Sequence, residues 1–597
     1  MKKIKITIVD SGVRRDHPLF QEDDIQGFTY LGQGKTEDNF QDCFGHGTAI
    51  YGIIRQAKKW ADIINIRIPD IEEGIEEEIL CSVLDYIAEK VDTDILNLSL
   101  GSCCCMDLNA LRNACSHLIQ KKVVIMSAFD NAGAVSYPAA FPDVIGVTSG
   151  EECARTKDFI VHENGIVDLA AKGAVQKLAW LEPDYILLGG NSFACAHATV
   201  QAVRYMAEGT SDRENILRRF KEDAIRVEKG QKYFSKASPL FPIKNAAVFP
   251  FCKETQSMLR FYDLLNFHIT DIYDIKYSAI VGACTNRLMK DDNVLKLTVK
   301  NIENIEWDKF DTLIIGHMWK LSSLVNDNNF FQNLIKEAEE HEKKIVAFDD
   351  LSKFVSREIR TQVYYPYVDK SQVPFIGYGK LYRPSKPVLG IFGTSSHQGK
   401  FTLQLILRRK LIGRGYHIGQ IGTEPSSLLY GMDGVYPMGY NSSVHITGAY
   451  AVRYLNYQIN ELCEKENDLI IVGSQSGTVP YDYGNLEQYT FAQFDLLMGT
   501  LPDAVILCVN PFDDIEYVER TIHFIESSVE CKVIGLSLFP LDFKNESFYG
   551  NRKQISQEKC EWLKKEYSSR VNLPLYPLGK EDEMEMLVNR VIEYFEE

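Results

Sequence analysis

No stretch of this sequence approaches the ~18 uncharged apolar residues that a membrane-spanning helix needs, so no helical span is expected. The opening MKKIKITIVDSG carries a lysine pair and then alternates like a strand. An apolar signal core and a small-residue cleavage site are both missing from it, and the protein is expected in the cytoplasm. Basic charge is also short: 65 Lys and Arg against 82 Asp and Glu give a net charge of −17. That leaves no basic stripe for nucleic acid, and neither nucleic acid nor a membrane is an expected partner. The 14 cysteines contain no CxxC pair, and no histidine stands at ligand spacing beside Cys103, Cys104, Cys105 and Cys115. They are expected to be small buried thiols beside a helix rather than disulfides or metal ligands. Short-period repeats and low-complexity segments are absent as well.

What is present suits a large folded chain. Its 597 residues are 45% hydrophobic and 25% charged, enough apolar surface to offset chain entropy over several domains. Near-continuous apolar runs such as IKITIVD (4–10), DILNLSL (94–100), KVVIMSA (122–128), PVLGIFG (387–393) and DLIIVGS (468–474) predict strands buried on both faces. Helical patterns lie between them, among them IEEEILCSVLDYIAEKV (75–91), NILRRFKEDAIRVEKG (215–230), FFQNLIKEAEEHEKK (330–344) and KFTLQLILRRKLIGRG (400–415). Strands alternating with helices imply α/β architecture with parallel sheets throughout. The proline-bearing linker SKASPLFPIKN (235–245) and the Gly/Pro/Lys segment GYGKLYRPSKP (377–387) suggest three domains, 1–235, 236–384 and 385–597.

Three separated segments of the first domain carry chemistry. IVDSG places Asp10 at the end of a strand, FGHGTAIYGII sets His46 between glycines at a helix start, and GGNSFACAHATVQAV opens a helix with Ser192. A serine hydroxyl becomes nucleophilic when an imidazole takes its proton, and a buried carboxylate must hold that imidazole in the right tautomer. Asp, His, Ser is one of the known chain orders of such a triad.

These segments resemble the motifs of subtilases, the subtilisin-like serine proteases. Asp10-Ser11-Gly12 resembles their aspartate motif, His46-Gly47-Thr48 their histidine motif, and Gly190-Asn191-Ser192-Phe193-Ala194-Cys195-Ala196-His197 their GTSMAxPH serine motif. ILNLSLGS (95–102) is similar to the strand and glycine turn lining their substrate cleft, which implies that Ser99, Leu100 and Gly101 contact substrate. VVIMSAFDNAG (123–133) is similar to their oxyanion-hole region, where either Asp130 or Asn131 takes the place of the family's asparagine. The simplest register gives that place to Asp130. Asn191 and Ala196 replace the motif's Thr and Pro. The resemblance covers roughly residues 1–210 and implies a three-layer subtilisin-like domain acting as a serine endopeptidase on peptides. With the aspartate ten residues from the start, it implies an intracellular member without a propeptide.

In the third domain, PVLGIFGTSSHQGKFTLQLILRRKL puts a glycine-rich loop between strand and helix, the context in which loop N–H groups cradle phosphate. Five residues separate Gly393 from Gly399-Lys400, one more than in GxxxxGK, and Phe401 stands where Ser or Thr would hold Mg²⁺. The loop is similar to that of dethiobiotin synthetase-like P-loop proteins, and closer to a GT-x-x-x-x-GKxT family that also occurs in maturation systems for ribosomally made peptides. IGQIGTEPSS (418–427) and VGSQSGTVP (472–480) are similar to that family's second and third strands, and residues 246–384 to its Rossmann-like N-terminal half. This resemblance implies that Gly393, Thr394, Gly399, Lys400 and Thr402 contact phosphate, with Glu424 or Asp468 near a metal. ATP or GTP with Mg²⁺ is the leading ligand, and the pyrophosphate of coenzyme A satisfies the same loop. The protease chemistry itself needs no cofactor. The partner implied is a peptide substrate, the leader of a precursor peptide. In the second domain His317 and His341 are expected to be a loop residue and a solvated helix face, without a catalytic constellation.

Overall fold

The computed structural model describes residues 3–596 except 70–74, 104, 164, 230–239, 277, 319–328, 352–353, 356–357, 376–378, 440–441, 485–488 and 543–552. Cys104 and residues 235–239 of the expected first linker lie outside the described residues. The chain divides into two compact units: residues 1–232 with 375–385, and residues 233–374 with 386–597. The expected second linker therefore lies largely inside the first unit.

A ten-stranded sheet forms the first unit. Its order runs Arg226–Lys229, Ile160–Glu163, Leu169–Ala171, Ile145–Ser149, Val124–Ala128, Ile95–Leu98, Ile4–Asp10, Ala61–Arg67, Gln26–Tyr30, Thr36–Glu37. Only the pairs Ile160–Glu163 with Leu169–Ala171, and Gln26–Tyr30 with Thr36–Glu37, are antiparallel. Every residue of the central strand Ile95–Leu98 is buried, which is why it reads as an unbroken apolar run. Ile6, Ile8, Ile95 and Met126 join an apolar cluster with the helices His46–Ile54 and Asn191–Ala207. The small side chains Ala194, Cys195, Ala196 and Ala198 let that second helix lie close against the sheet. Val9, Leu96 and Leu98 alternate to the other face, on the side where Leu108–Gln120 packs, its first turn capped by the Asp107 carboxylate (2.9 Å to the Ala110 N–H).

One helical expectation is shortened. The helix of 215–230 ends at Asp223, and Arg226–Lys229 instead pairs in parallel with Ile160–Glu163 at the sheet edge. Ala224 has an extended backbone, and Ile225 hydrogen-bonds the Phe159 carbonyl (2.9 Å), so an open sheet edge wins over helix propensity.

The second unit holds two parallel sheets. The six strands Asn245–Phe249, His268–Asp274, Val299–Asn301, Thr312–Ile315, Lys344–Ala347 and Val363–Tyr364, numbered along the chain, are ordered 3-2-1-4-5-6. That is the doubly wound order, with its crevice between the first and fourth strands. The seven strands Val388–Gly393, Ile418–Gly422, Gly434–Val435, Leu469–Gly473, Ala504–Val509, Lys532–Leu538 and Leu575–Pro577 are ordered 3-2-4-1-5-6-7. Phosphate-loop residue Gly393 ends the central strand of this sheet, and Lys400–Gly413 is the following helix. Among the described residues no helix is long and apolar enough to cross a membrane.

Candidate active site

Sheet register brings the first unit's motifs together. Val9 pairs with Leu98, and Leu98 with Ser127, so Asp10, Ser99 and Phe129–Asn131 lie at the C-terminal ends of three neighbouring parallel strands. Asp10 Oδ1 accepts from His46 Nδ1 at 2.8 Å and from the Ser11 N–H at 2.8 Å. The helix carrying His46 is placed by Asp42, whose carboxylate accepts from the N–H groups of Gly45 and Thr48 and from the Thr48 hydroxyl. Ser11 Oγ donates to Asp42 and accepts from Gly47 N–H, tying the aspartate motif to the histidine motif. Gly45 sits at φ 102°, where an L-residue is strained by ~1–3 kcal/mol, and a Cβ there would lie 2.5 Å from Trp180. A Cβ on Gly47 would meet the Gly12 carbonyl at 2.3 Å. The glycines around His46 are thus required by space as well as by backbone.

Ser192 is buried in the first turn of its helix. Its Oγ donates to the Ser99 carbonyl at 3.1 Å, while the Ser99 hydroxyl donates to the Ser192 carbonyl at 3.1 Å. The Phe193 ring lies 5.7 Å from the His46 ring, so histidine and serine segments adjoin. In this state the hydroxyl is parked on Ser99 rather than on the imidazole. A rotation about its Cα–Cβ bond is needed before His46 takes its proton, a loosening common without substrate. Leu100 and Gly101 follow Ser99, and Gly101 runs so close to Tyr137 that a Cβ would meet its carbonyl at 2.8 Å.

The oxyanion alternatives make different contacts. Asn131 Oδ1 accepts from the Asn191 N–H at 2.8 Å, directly before Ser192. Asp130 N–H donates to Ser136 Oγ, and its Oδ2 is buried without a hydrogen-bond partner. Asn191, which replaces the motif's Thr, has a structural task the sequence did not disclose. Its amide donates to the carbonyls of Phe129 (3.0 Å) and Asp130 (2.9 Å) and accepts from Ser149 N–H (2.7 Å). The motif's His197 stands apart, buried against Gln176 with its pKa pushed down to about 4 by burial.

Burial disfavours protonation of His46, but the Asp10 hydrogen bond and the charges of Asp10 and Asp42 outweigh it and raise its pKa above the ordinary 6.5. General-base catalysis needs the neutral imidazole, so kcat/KM is expected to fall on the acid side with an apparent pKa above 6.5. A pH profile of peptide hydrolysis checks this; an acid limb at or below 6.5 would contradict it.

In the second unit the phosphate loop is tightly built. Lys400 Nζ donates to the Ser395 carbonyl at 2.6 Å, and burial pushes its pKa down to about 8. Gln398 folds into the loop and accepts from Ser395 N–H, while Tyr517 donates to the Thr394 carbonyl and Asn510 to Ser395 Oγ. Gly399 at φ 73° leads into the helix, and a Cβ there would lie 2.5 Å from Leu578. A Cβ on Gly393 would lie 3.1 Å from Lys400 Nζ, so the lysine closes over a space left by a glycine. Thr402 is in the first turn of the helix and half-buried. The missed member is Asp513, whose carboxylate accepts from Thr394 Oγ1 and from the Asn510 N–H.

These residues fit phosphate but not Mg²⁺. Phe401 packs its ring on Tyr430 instead of offering a hydroxyl. Asp468 is exposed and bonded to the His417 N–H ahead of its strand, at the opposite end from the loop. Glu424 lies 4.0 Å from Lys253, and desolvation raises its pKa above the ordinary carboxylate value. Among the described residues no three His, Cys, Asp or Glu side chains are grouped to hold a metal, and no disulfide joins two described cysteines.

Glu424 belongs instead to a cluster the sequence did not reveal. A small cleft, open to solvent, is lined by Lys253, His317, Glu424, Gln475 and neighbours. His317 Nδ1 bonds to Asp349 at 2.7 Å, its Nε2 lies 3.7 Å from Glu254, and Lys253 lies 3.3 Å from Glu254 and 4.0 Å from Glu424. His317 is thus more than the loop residue expected. Burial opposes its charged form, yet Asp349 and Glu254 raise its pKa; burial also opposes ionised Glu254, yet Lys253 and His317 lower its pKa. Lys253 and Glu254 follow the first strand of the six-stranded sheet and His317 follows the fourth, at the crevice its order creates. His341 is exposed and stacks on Trp307 at 5.2 Å.

Comparison with known proteins agrees with this division. Residues 1–226 match the Subtilase family, and residues 376–585 match the Domain of unknown function (DUF1611_C) P-loop domain. Thermitase of Thermoactinomyces vulgaris is 26% identical over 244 residues, 39% of this chain and 85% of the relative. The subtilase-type proteinase RRT12 of Saccharomyces cerevisiae is 26% identical over 219 residues, 34% of this chain and 43% of the relative. Among solved structures, a cold adapted subtilisin-like serine proteinase aligns over 36% of this chain and 79% of its own, at 24% identity and a TM-score of 0.31. A DUF1611 family protein from Anabaena variabilis aligns over 59% and 99%, at 13% identity and a TM-score of 0.41. The chain carries a subtilase domain, of the serine endopeptidase type, at its N-terminus and a DUF1611 P-loop domain at its C-terminus.

Proposed function

We propose that the protein is an endopeptidase that cuts a peptide substrate, the leader of a ribosomally made precursor, with Ser192 as nucleophile, His46 as general base and Asp10 as its orienter. The observation that carries the reading is the 2.8 Å Asp10–His46 bond beside a serine whose neighbouring N–H is held by Asn131. In the derived reaction, Ser192 Oγ attacks the scissile carbonyl while its proton passes to His46 Nε2, and Asn131 Nδ2 meets the oxyanion. His46 then returns the proton to the leaving amine. Incubation with a synthetic precursor-length peptide, read by mass, tests this. Wild type should give two fragments and Ser192→Ala none; equal cleavage by both would end the proposal.

The second unit, on this reading, binds a phosphate-containing ligand at Gly393, Thr394, Gly399, Lys400 and Thr402. ATP or GTP leads, and coenzyme A is the second reading, favoured by the hydrophobic Phe401 where a magnesium-holding hydroxyl would stand. When bound, the ligand's phosphates would take the Lys400 ammonium from the Ser395 carbonyl. Titration calorimetry with ATP, GTP and coenzyme A, with and without Mg²⁺, distinguishes them. Lys400→Ala should weaken the preferred ligand by at least about tenfold, ~1.4 kcal/mol. An unchanged affinity would remove the lysine, and the loop reading with it.

A further inference from the structure

Asp130 poses a problem next to an oxyanion site. Its Oδ2 is buried without a hydrogen-bond partner, one residue from Asn131 and in the peptide clamped by Asn191. An uncompensated buried carboxylate is costly, and a negative charge beside a developing oxyanion opposes catalysis.

The compensating charge comes from far along the chain. Residues 375–385, which in sequence separate the two sheets of the second unit, belong to the first unit. The Leu381 carbonyl accepts from Val135 N–H at 2.8 Å, in the loop that follows Asn131, and Phe375 packs on Gly165. Lys380, only 5% exposed, holds its ammonium 5.5 Å from the centre of the Phe129 ring. Burial lowers its pKa below the ordinary lysine value, against the opposing pull of Asp130 and Cys103. A lysine is rarely buried so deeply without an electrostatic partner.

We propose that Lys380 is a positioning residue of the protease: a buried cation, delivered by the 375–385 segment, that offsets Asp130 and steadies the Phe129–Asn131 corner behind the oxyanion. The contacts form a chain. Lys380 faces Phe129, the residue before Asp130; the carbonyls of Phe129 and Asp130 receive the Asn191 amide, and Asn191 N–H donates to Asn131 next to Ser192 in the chain. The protease domain is thereby completed by a segment encoded between the two halves of the other unit, so covalent continuity with that unit becomes a condition of full activity.

The inference rests on the protease reading, and its test separates the two. In the full-length protein, Lys380→Met keeps the stem and removes the charge. It is expected to lower kcat for a peptide substrate about tenfold with KM changed less than about twofold, because the charge acts on the transition state. Adding Asp130→Asn to Lys380→Met removes the second charge and should restore at least half of the lost rate. A segment that only packs would not be rescued this way. Lys380→Met at the wild-type rate, or a double variant as slow as the single one, would overturn the proposal. If the wild type itself hydrolyses no peptide, the protease reading falls, and melting temperature decides the pairing instead. Lys380→Met should melt lower and the double variant should recover; a double variant that melts no higher would overturn it.

Discussion

Asp10→Asn is expected to fold and to hydrolyse peptides with kcat lower by about 10⁴. Asp10 Oδ1 accepts from His46 Nδ1, so the imidazole keeps its proton on that side and leaves Nε2 free to receive the serine's. An asparagine amide can present a donor in place of this acceptor, which puts the ring in the opposite tautomer with Nε2 already protonated. The base is then lost although every atom stays in place. The Ser11 N–H still finds an acceptor in the amide oxygen, which is why the fold should tolerate the change. Steady-state kinetics on a peptide substrate check the value, and a loss smaller than tenfold would mean that Asp10 does not orient the base.

Asn131→Leu should cost about 10²–10³ in kcat, ~2.7–4 kcal/mol of transition-state stabilisation, with KM nearly unchanged. The Asn131 amide is held by its oxygen on Asn191 N–H, so its nitrogen needs no reorganisation when the oxyanion forms. Leucine keeps the volume and loses the donor. A kcat within a few-fold of wild type would move the oxyanion role away from Asn131.

Much of this was legible in the sequence because it was local. Buried parallel strands read as apolar runs, as in Val388–Gly393, where all six residues are buried. The aspartate, histidine and serine motifs each carry their own glycines, and those glycines are demanded by contacts such as Gly45 with Trp180. What was hidden depends on partners distant in the chain. The contact that favours Asn131 over Asp130 comes from Asn191, about sixty residues on. Lys253, Glu254, His317, Asp349 and Glu424 look ordinary one at a time; only the crossover order of the six-stranded sheet and the approach of Glu424 make them a cluster. Asp468 is placed near a metal only by the family resemblance; it precedes its strand and so sits at the end away from the phosphate loop. In Arg226–Lys229, an available sheet edge overruled a helical pattern.

The most direct measurement is intact mass after treatment with a fluorophosphonate, on the wild type and on Ser192→Ala. An assembled triad with an oxyanion pocket predicts one adduct on the wild type and none on the variant. A folded wild-type protein that takes no adduct, or an adduct that persists in Ser192→Ala, would contradict the assignment of Ser192 as the nucleophile.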